Sequence, residues 1–133
     1  APGFAEKVDG IRRAFGASEI ADRSIEEVRL KHVERDALRT RLVRLVSYWP
    51  DLKTRLENQI MPPDAFSVML ESAGAPSVPS AIGISTEQLR RTVTESRFLR
   101  SRYTILDVLE EAGLLHRAVD ELFPAEDEMR RVS

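Results

Sequence analysis

Residues Ala73 to Asp107 read A-G-A-P-S-V-P-S-A-I-G-I-S-T-E-Q-L-R-R-T-V-T-E-S-R-F-L-R-S-R-Y-T-I-L-D. Pro76, Pro79 and Gly83 break the first part into a loop. Ser85, with Gln88 three residues on, has the spacing of a capping box and predicts a helix start there. Leu89, Val93 and Ser96 or Arg97 then share one helical face, ending near Arg97. Arg97, Arg100 and Arg102 gather around Tyr103, and a greasy pattern follows at Ile105, Leu106, Val108, Leu109 and Ala112. That pattern predicts a central helix over 103–112, apolar nearly all round and ended by Gly113.

The chain on either side is also helical in pattern. Phe4, Val8, Ile11 and Phe15 lie at spacings of four, three and four, with Gly16 placed to cap. Ser18 or Asp22 can open a second helix whose face is Ile25, Val28 and His32. Asp36 starts a third, with Leu38, Leu42, Leu45, Val46 and Trp49 on one stripe and Arg35, Arg39, Arg41 and Arg44 beside it as a solvated band. Pro50 is expected to open a new helix carrying Leu52, Leu56 and Ile60. Pro62-Pro63 opens another, with Phe66, Met69, Leu70 and Ala73 inward and Gly74 as its left-handed cap. Leu115, Ala118, Val119, Leu122 and Phe123 form a last short helix stopped by Pro124. No segment alternates with period two. The expected fold is all-α: one domain over 1–133, an orthogonal bundle of about seven or eight helices.

Composition narrows the function classes. The 133 residues suffice for one domain, with 42% apolar and 32% charged side chains. A net charge of -2 points to neither nucleic acid nor a membrane surface as partner. The chain has no cysteine, so disulfides, thiolate metal sites and cysteine nucleophiles are excluded. No apolar run approaches bilayer length and the N-terminus has no apolar signal core, so a soluble, cytoplasmic protein is expected. A helix-turn-helix over 64–97 is disfavoured by the net charge and the proline-bearing turn.

No catalytic constellation stands out. Nucleotide-binding glycine motifs and a zinc-protease motif are missing, and His32 and His116 sit in no ligand-spaced pair. Glu110 and Glu111 are expected on a solvated face. Arginines dominate Ser85–Tyr103, while carboxylates dominate from Leu106 to Glu128. Pairing between these two halves is the simplest use of that polarity, and an arginine pocket for a phosphate or a carboxylate is the sharper one.

Ala73-Gly74-Ala75-Pro76, Ile82-Gly83-Ile84-Ser85 and Arg100-Ser101-Arg102-Tyr103-Thr104-Ile105-Leu106-Asp107 together resemble the C-terminal helical domain of sn-glycerol-1-phosphate dehydrogenases. That family belongs to the superfamily of iron-containing alcohol dehydrogenases and dehydroquinate synthases. Trp49-Pro50-Asp51-Leu52 with Leu56, and the Glu27–Lys31 helix, extend the resemblance to most of residues 12–123. It implies a two-domain enzyme that moves hydride between NAD(H) or NADP(H) and dihydroxyacetone phosphate. An N-terminal α/β domain would bind the cofactor, and the helical domain would carry most of a zinc or nickel site. The family's metal-binding aspartate, its two histidines and its cofactor domain have no counterpart here. No catalytic, cofactor or metal residue is therefore assigned, and the chain is expected to be an inactive distal part of the helical domain of a homo-oligomeric enzyme, either a trimmed fragment, the favoured expectation, or a full chain that has shed its catalytic half. Alternatives are a dehydroquinate synthase-like or glycerol dehydrogenase-like domain, or a stand-alone interaction module. The signature residues Arg100, Arg102, Tyr103 and Asp107 are candidates for the substrate cleft or for structure. The favoured expectation is structural, with the arginines bridging to the Asp107–Glu111 helix.

Overall fold

A computed structural model describes residues 2–124, and these are all helix, turn and loop with no strand. The helices are α1 (Phe4–Phe15), α2 (Glu19–Lys31), α3 (Arg35–Gln59), α4 (Pro63–Ser72), α5 (Thr86–Ser96), α6 (Ile105–Glu111) and α7 (Leu115–Leu122). Short 3-10 turns lie at Pro79–Ile82 and Arg97–Leu99. The expected tail carboxylates Glu126, Asp127 and Glu128 lie outside the described residues. No described helix is long and apolar enough to cross a membrane.

Local signals set most boundaries. Ser18 caps α2 by accepting the Ala21 amide at 3.2 Å. Ser85 and Gln88 form the expected reciprocal box at the start of α5. Gly74, past the end of α4, takes φ 67°, a left-handed conformation that glycine adopts without a Cβ penalty. One boundary differs from expectation. Pro50 lies inside α3 rather than opening a new helix. It is exposed, so the hydrogen bond it cannot donate is lost on a side that water can reach. Two expected helices are therefore one of 25 residues.

Packing is uneven. The core is Ile11 from α1, Ala21 and Val28 from α2, and Phe98 from the turn after α5, with Phe4, Phe15 and Ile25 against it. Leu115 and Val119 of α7 make a smaller buried pair. The helices α3, α4 and α5 bury no residue of their own, but α5 is anchored by buried Phe98 in the turn that follows it. The accessible surface is 10353 Å² for 15.0 kDa, whereas a folded monomer of that mass exposes roughly 7000 Å². Ten residues of extended chain expose at most roughly 1600 Å², so at least about half of the excess belongs to the described fold. A compact unit of α1, α2 and α5–α7 thus carries an under-packed arm of α3 and α4.

This division has a mutational signature. Ile11→Ala should cost about 2–5 kcal/mol in urea unfolding, as expected for a large-to-small change in a packed core. Val46→Ala on the arm, where Val46 is 73% exposed, should stay within about 0.5 kcal/mol.

Candidate functional site

The polar centre of the molecule is the inner face of α6. Asp107, Glu110 and Glu111 are all buried there, at 6%, 9% and 6% exposure, while Ile105 points outward at 57%. The helix expected to be an apolar core thus has Leu106, Val108 and Leu109 only half-buried, and the glutamates expected in solvent lie on its most buried face. Spacing explains how one short helix can do this. Positions i, i+3 and i+4 fall on one side.

A carboxylate removed from water needs a counter-charge and hydrogen bonds. Each one here finds them on a different element. Asp107 Oδ1 meets Lys31 Nζ of α2 at 2.7 Å. Asp107 Oδ2 accepts from the Thr104 amide at 2.8 Å and the Thr104 hydroxyl at 3.0 Å, which also caps α6. Glu110 lies between Lys7 of α1, 3.4 Å from Oε2, and Arg97, which pairs with Oε1. Glu111 Oε1 accepts from Arg41 of α3 at 2.8 Å, and Oε2 accepts from the Tyr103 hydroxyl. Lys31 also donates to the Arg97 carbonyl at 2.5 Å. All the oxygens of the three carboxylates are therefore engaged.

Cation–π contacts complete the cluster. The Arg41 guanidinium lies 4.6 Å from the Tyr103 ring centre, and that of Arg97 lies 4.1 Å from Phe98. Burial lowers the Arg97 pKa, opposed by the charges of Glu110 and Asp107. For Arg41 burial also pulls downward, but Tyr103 and Glu111 outweigh it and the net shift is upward. Burial, helped by the bond to Glu111, pushes Tyr103 up to about 12.

The sequence signature splits in two here. Asp107 and Tyr103 belong to the cluster. Arg100 and Arg102 are exposed and pair with no described residue, so the expectation that they bridge to the 107–111 helix is corrected. Lys31 and Arg41 do that instead, and Arg97 and Lys7 complete the set. Sequence reasoning placed Arg41 in a solvated band and assigned Lys7 no role. The missed signal was the i, i+3, i+4 carboxylate stripe itself.

A cleft of about 970 Å³ separates the start of α1 from α3 and borders the cluster at Glu111, with Phe4, His32, Arg35, Leu38 and Leu42 also in its lining. His32 stacks at a tilt on Phe4, centroids 5.3 Å apart, and its Nε2 is 3.9 Å from Glu34. His116 lines a groove of about 260 Å³ between α5 and α7 with Glu87, Arg90 and Arg91. Among the described residues no group of three or more histidine or acidic side chains could hold a metal ion. The α6 cluster is arranged as a lock between elements, with no carboxylate oxygen left over for a ligand. No family model, curated protein or solved structure matches the chain.

Asp107→Ala should cost about 3–5 kcal/mol, because Lys31, 8% exposed, is left charged without its carboxylate. Asp107→Asn should cost less, since it retains an oxygen for the Thr104 cap. Arg102→Ala should stay within about 0.5 kcal/mol in the same denaturation assay.

Tyr103 adds an alkaline signature. Its folded pKa is raised to about 12 from an ordinary value of about 10. Its contribution to stability is therefore full below about pH 10 and is lost as pH rises towards 12. Tyrosinate absorbance should contain a late phase near pH 12 that Tyr103→Phe abolishes.

Proposed function

We propose that this chain is the distal part of the C-terminal helical domain of an NAD(P)- and metal-dependent sn-glycerol-1-phosphate dehydrogenase. On this reading it is a scaffold, inactive alone, and the remainder of the enzyme supplies the cofactor domain and the zinc or nickel ligands. The resemblance of residues 73–107 motivates the assignment. The observation that carries it is the arm: α3 and α4 bury nothing, while Val46, Trp49, Phe66 and Met69 stand exposed. Apolar exposure on two successive helices suits a surface that a partner covers. Covered by the rest of a cytoplasmic enzyme, the arm and the compact unit would close into one orthogonal multi-helix bundle.

Within that enzyme Arg100 and Arg102 take the sharper of their two expected roles. Arg100 has extended backbone, φ -144° and ψ 144°, and the segment before α6 presents both Arg100 and Arg102 outward. Guanidinium groups that pair with no carboxylate among the described residues are suited to bidentate contact with a substrate phosphate. The α6 lock would hold that segment in place from behind through Thr104, Tyr103 and Asp107. A dehydroquinate synthase-like or glycerol dehydrogenase-like parent shares the scaffold reading.

The test is the complete open reading frame that contains these residues, expressed and assayed for NADH or NADPH oxidation with dihydroxyacetone phosphate and added zinc or nickel. Turnover is expected from the long form and none from the 133-residue chain. In the long form Arg102→Ala should raise KM for the phosphorylated substrate roughly tenfold at unchanged melting temperature, about the worth of one charge-assisted contact. An inactive long form, or a reading frame that starts at Ala1, removes the proposal.

A further inference from the structure

The continuity of α3 across Pro50 exposes a pattern that two separate helices would not have. Leu38, Leu42, Leu45, Trp49, Leu52 and Leu56 follow one another at spacings of four, three, four, three and four. That is the seam of a heptad repeat, with Leu42, Trp49 and Leu56 in one set of core positions and Leu38, Leu45 and Leu52 in the other. The leucines are half-buried, and Trp49 is 43% exposed. The first two leucines line the cleft of about 970 Å³, so there is open space beside the seam where it begins.

Charge on the two rows beside the seam is one-sided. Between Leu38 and Leu56 these positions hold Arg39, Arg41, Val46, Tyr48, Lys53 and Arg55. No carboxylate occurs among them. The carboxylates of α3 after its cap, Asp36, Asp51 and Glu57, lie on the outer rows. Glu57 reaches Lys53 only as an exposed pair at 3.6 Å, of small energetic weight. Two copies of this helix brought together would place arginine and lysine against arginine and lysine. Like charges flanking a seam select against self-pairing, and opposite charges select a partner. Within the fold, Arg41 from the flanking row already accepts an acidic helix, pairing with Glu111 of α6 at 2.8 Å.

Resting on the proposed enzyme reading, we infer that α3 is a docking surface for an amphipathic helix with acidic flanks, supplied by the remainder of the same polypeptide. Leucine-like side chains of that helix pack on the seam, and its glutamates or aspartates meet Arg39, Lys53 and Arg55. This is helix-in-groove recognition with charge setting the partner.

The probe is a synthetic peptide about three heptads long, with leucine at the seam positions and glutamate at both flanking positions. A second peptide carries lysine at the flanks. Trp49 is the single tryptophan of the chain, so its emission reports cover on the seam directly. The glutamate peptide should shift that emission to the blue and saturate at low salt, and the lysine peptide should not. Lys53→Glu with Arg55→Glu should weaken the glutamate peptide by about tenfold or more and admit the lysine peptide. Both sites are exposed, and circular dichroism checks that the variant keeps its helices. In the complete reading frame, a Trp49→Phe difference spectrum should show Trp49 already blue-shifted and unresponsive to peptide. The inference is overturned by no response to the glutamate peptide, by equal response to both peptides, or by dimerisation of the chain alone that covers Trp49. It is also overturned, with the enzyme reading intact, by a long form that turns over substrate while its Trp49 still responds to peptide. Charge-selective binding together with a covered Trp49 in an inactive long form supports the inference and removes the dehydrogenase.

Discussion

Three carboxylates buried on a seven-residue helix are the constraint on which the rest of this structure depends. Taking an ion out of water costs several kcal/mol even after relaxation, and only close, well-aligned counter-charges return it. Lys7, Lys31, Arg41 and Arg97 reach α6 from α1, α2, α3 and the turn after α5. The elements cannot rearrange singly. Moving α2 or α3 strands a carboxylate of α6, and moving α1 or the turn after α5 takes away one of the two cations on Glu110. The value of such a cluster lies less in net stability than in uniqueness, because an apolar face of the same size would tolerate sliding and rotation. A rotation of α6 by one residue would leave the cations facing the wrong side chains.

That arrangement explains which parts of the fold were legible in the sequence. The α1–α2 core was, because Phe4, Ile11, Phe15 and Val28 obey a helical period and their packing is local in the chain. Caps were legible for the same reason: Ser85 and Gln88 are three residues apart. The α6 face was not. Carboxylates go to solvent by default, and the partner that overrules the default for Glu111 is Arg41, 70 residues away. Nothing within a local window announces that such a cation will arrive. Pro50 misled for a related reason. Proline is expensive in a helix interior only in proportion to what its missing donor costs, and on an exposed face water reduces that cost. Of the four signature residues, Tyr103 and Asp107 joined the cluster through Thr104 and Glu111, contacts within eight residues. Arg100 and Arg102 remained outside because the buried carboxylates were already neutralised by cations from other helices.

The arm follows from the same accounting. Once α6 has used the side chains that face the compact unit, α3 is tied to it, among the described residues, by a single inter-helix ion pair, Arg41 to Glu111. Held by that pair near its start, this helix of 25 residues buries no residue along its length. Isolated helices gain little from propensity alone and are usually held by packing of an apolar face. The part of the surplus that belongs to the described fold, roughly 1700 Å² over a compact monomer, is of the size that one partner contributes to an obligate interface. Both facts call for a cover over α3 and α4 rather than for a free-standing arm.

The kind of cover is constrained by what the lock already does. In α6, acidic side chains at helical spacing are read by cations projecting from neighbouring elements, and Arg41 is one of them. The seam of α3 continues from that point with Arg39, Lys53 and Arg55 beside leucines and Trp49. An acidic helix laid along it would repeat outside the compact unit the contact that Glu111 makes within it. A basic or neutral helix could bury the same leucines. It would, however, leave the flanking cations partly desolvated with no counter-charge, which is the cost that every buried charge in α6 is arranged to avoid. The two halves of the molecule are therefore governed by one rule, satisfied internally at α6 and still open along α3.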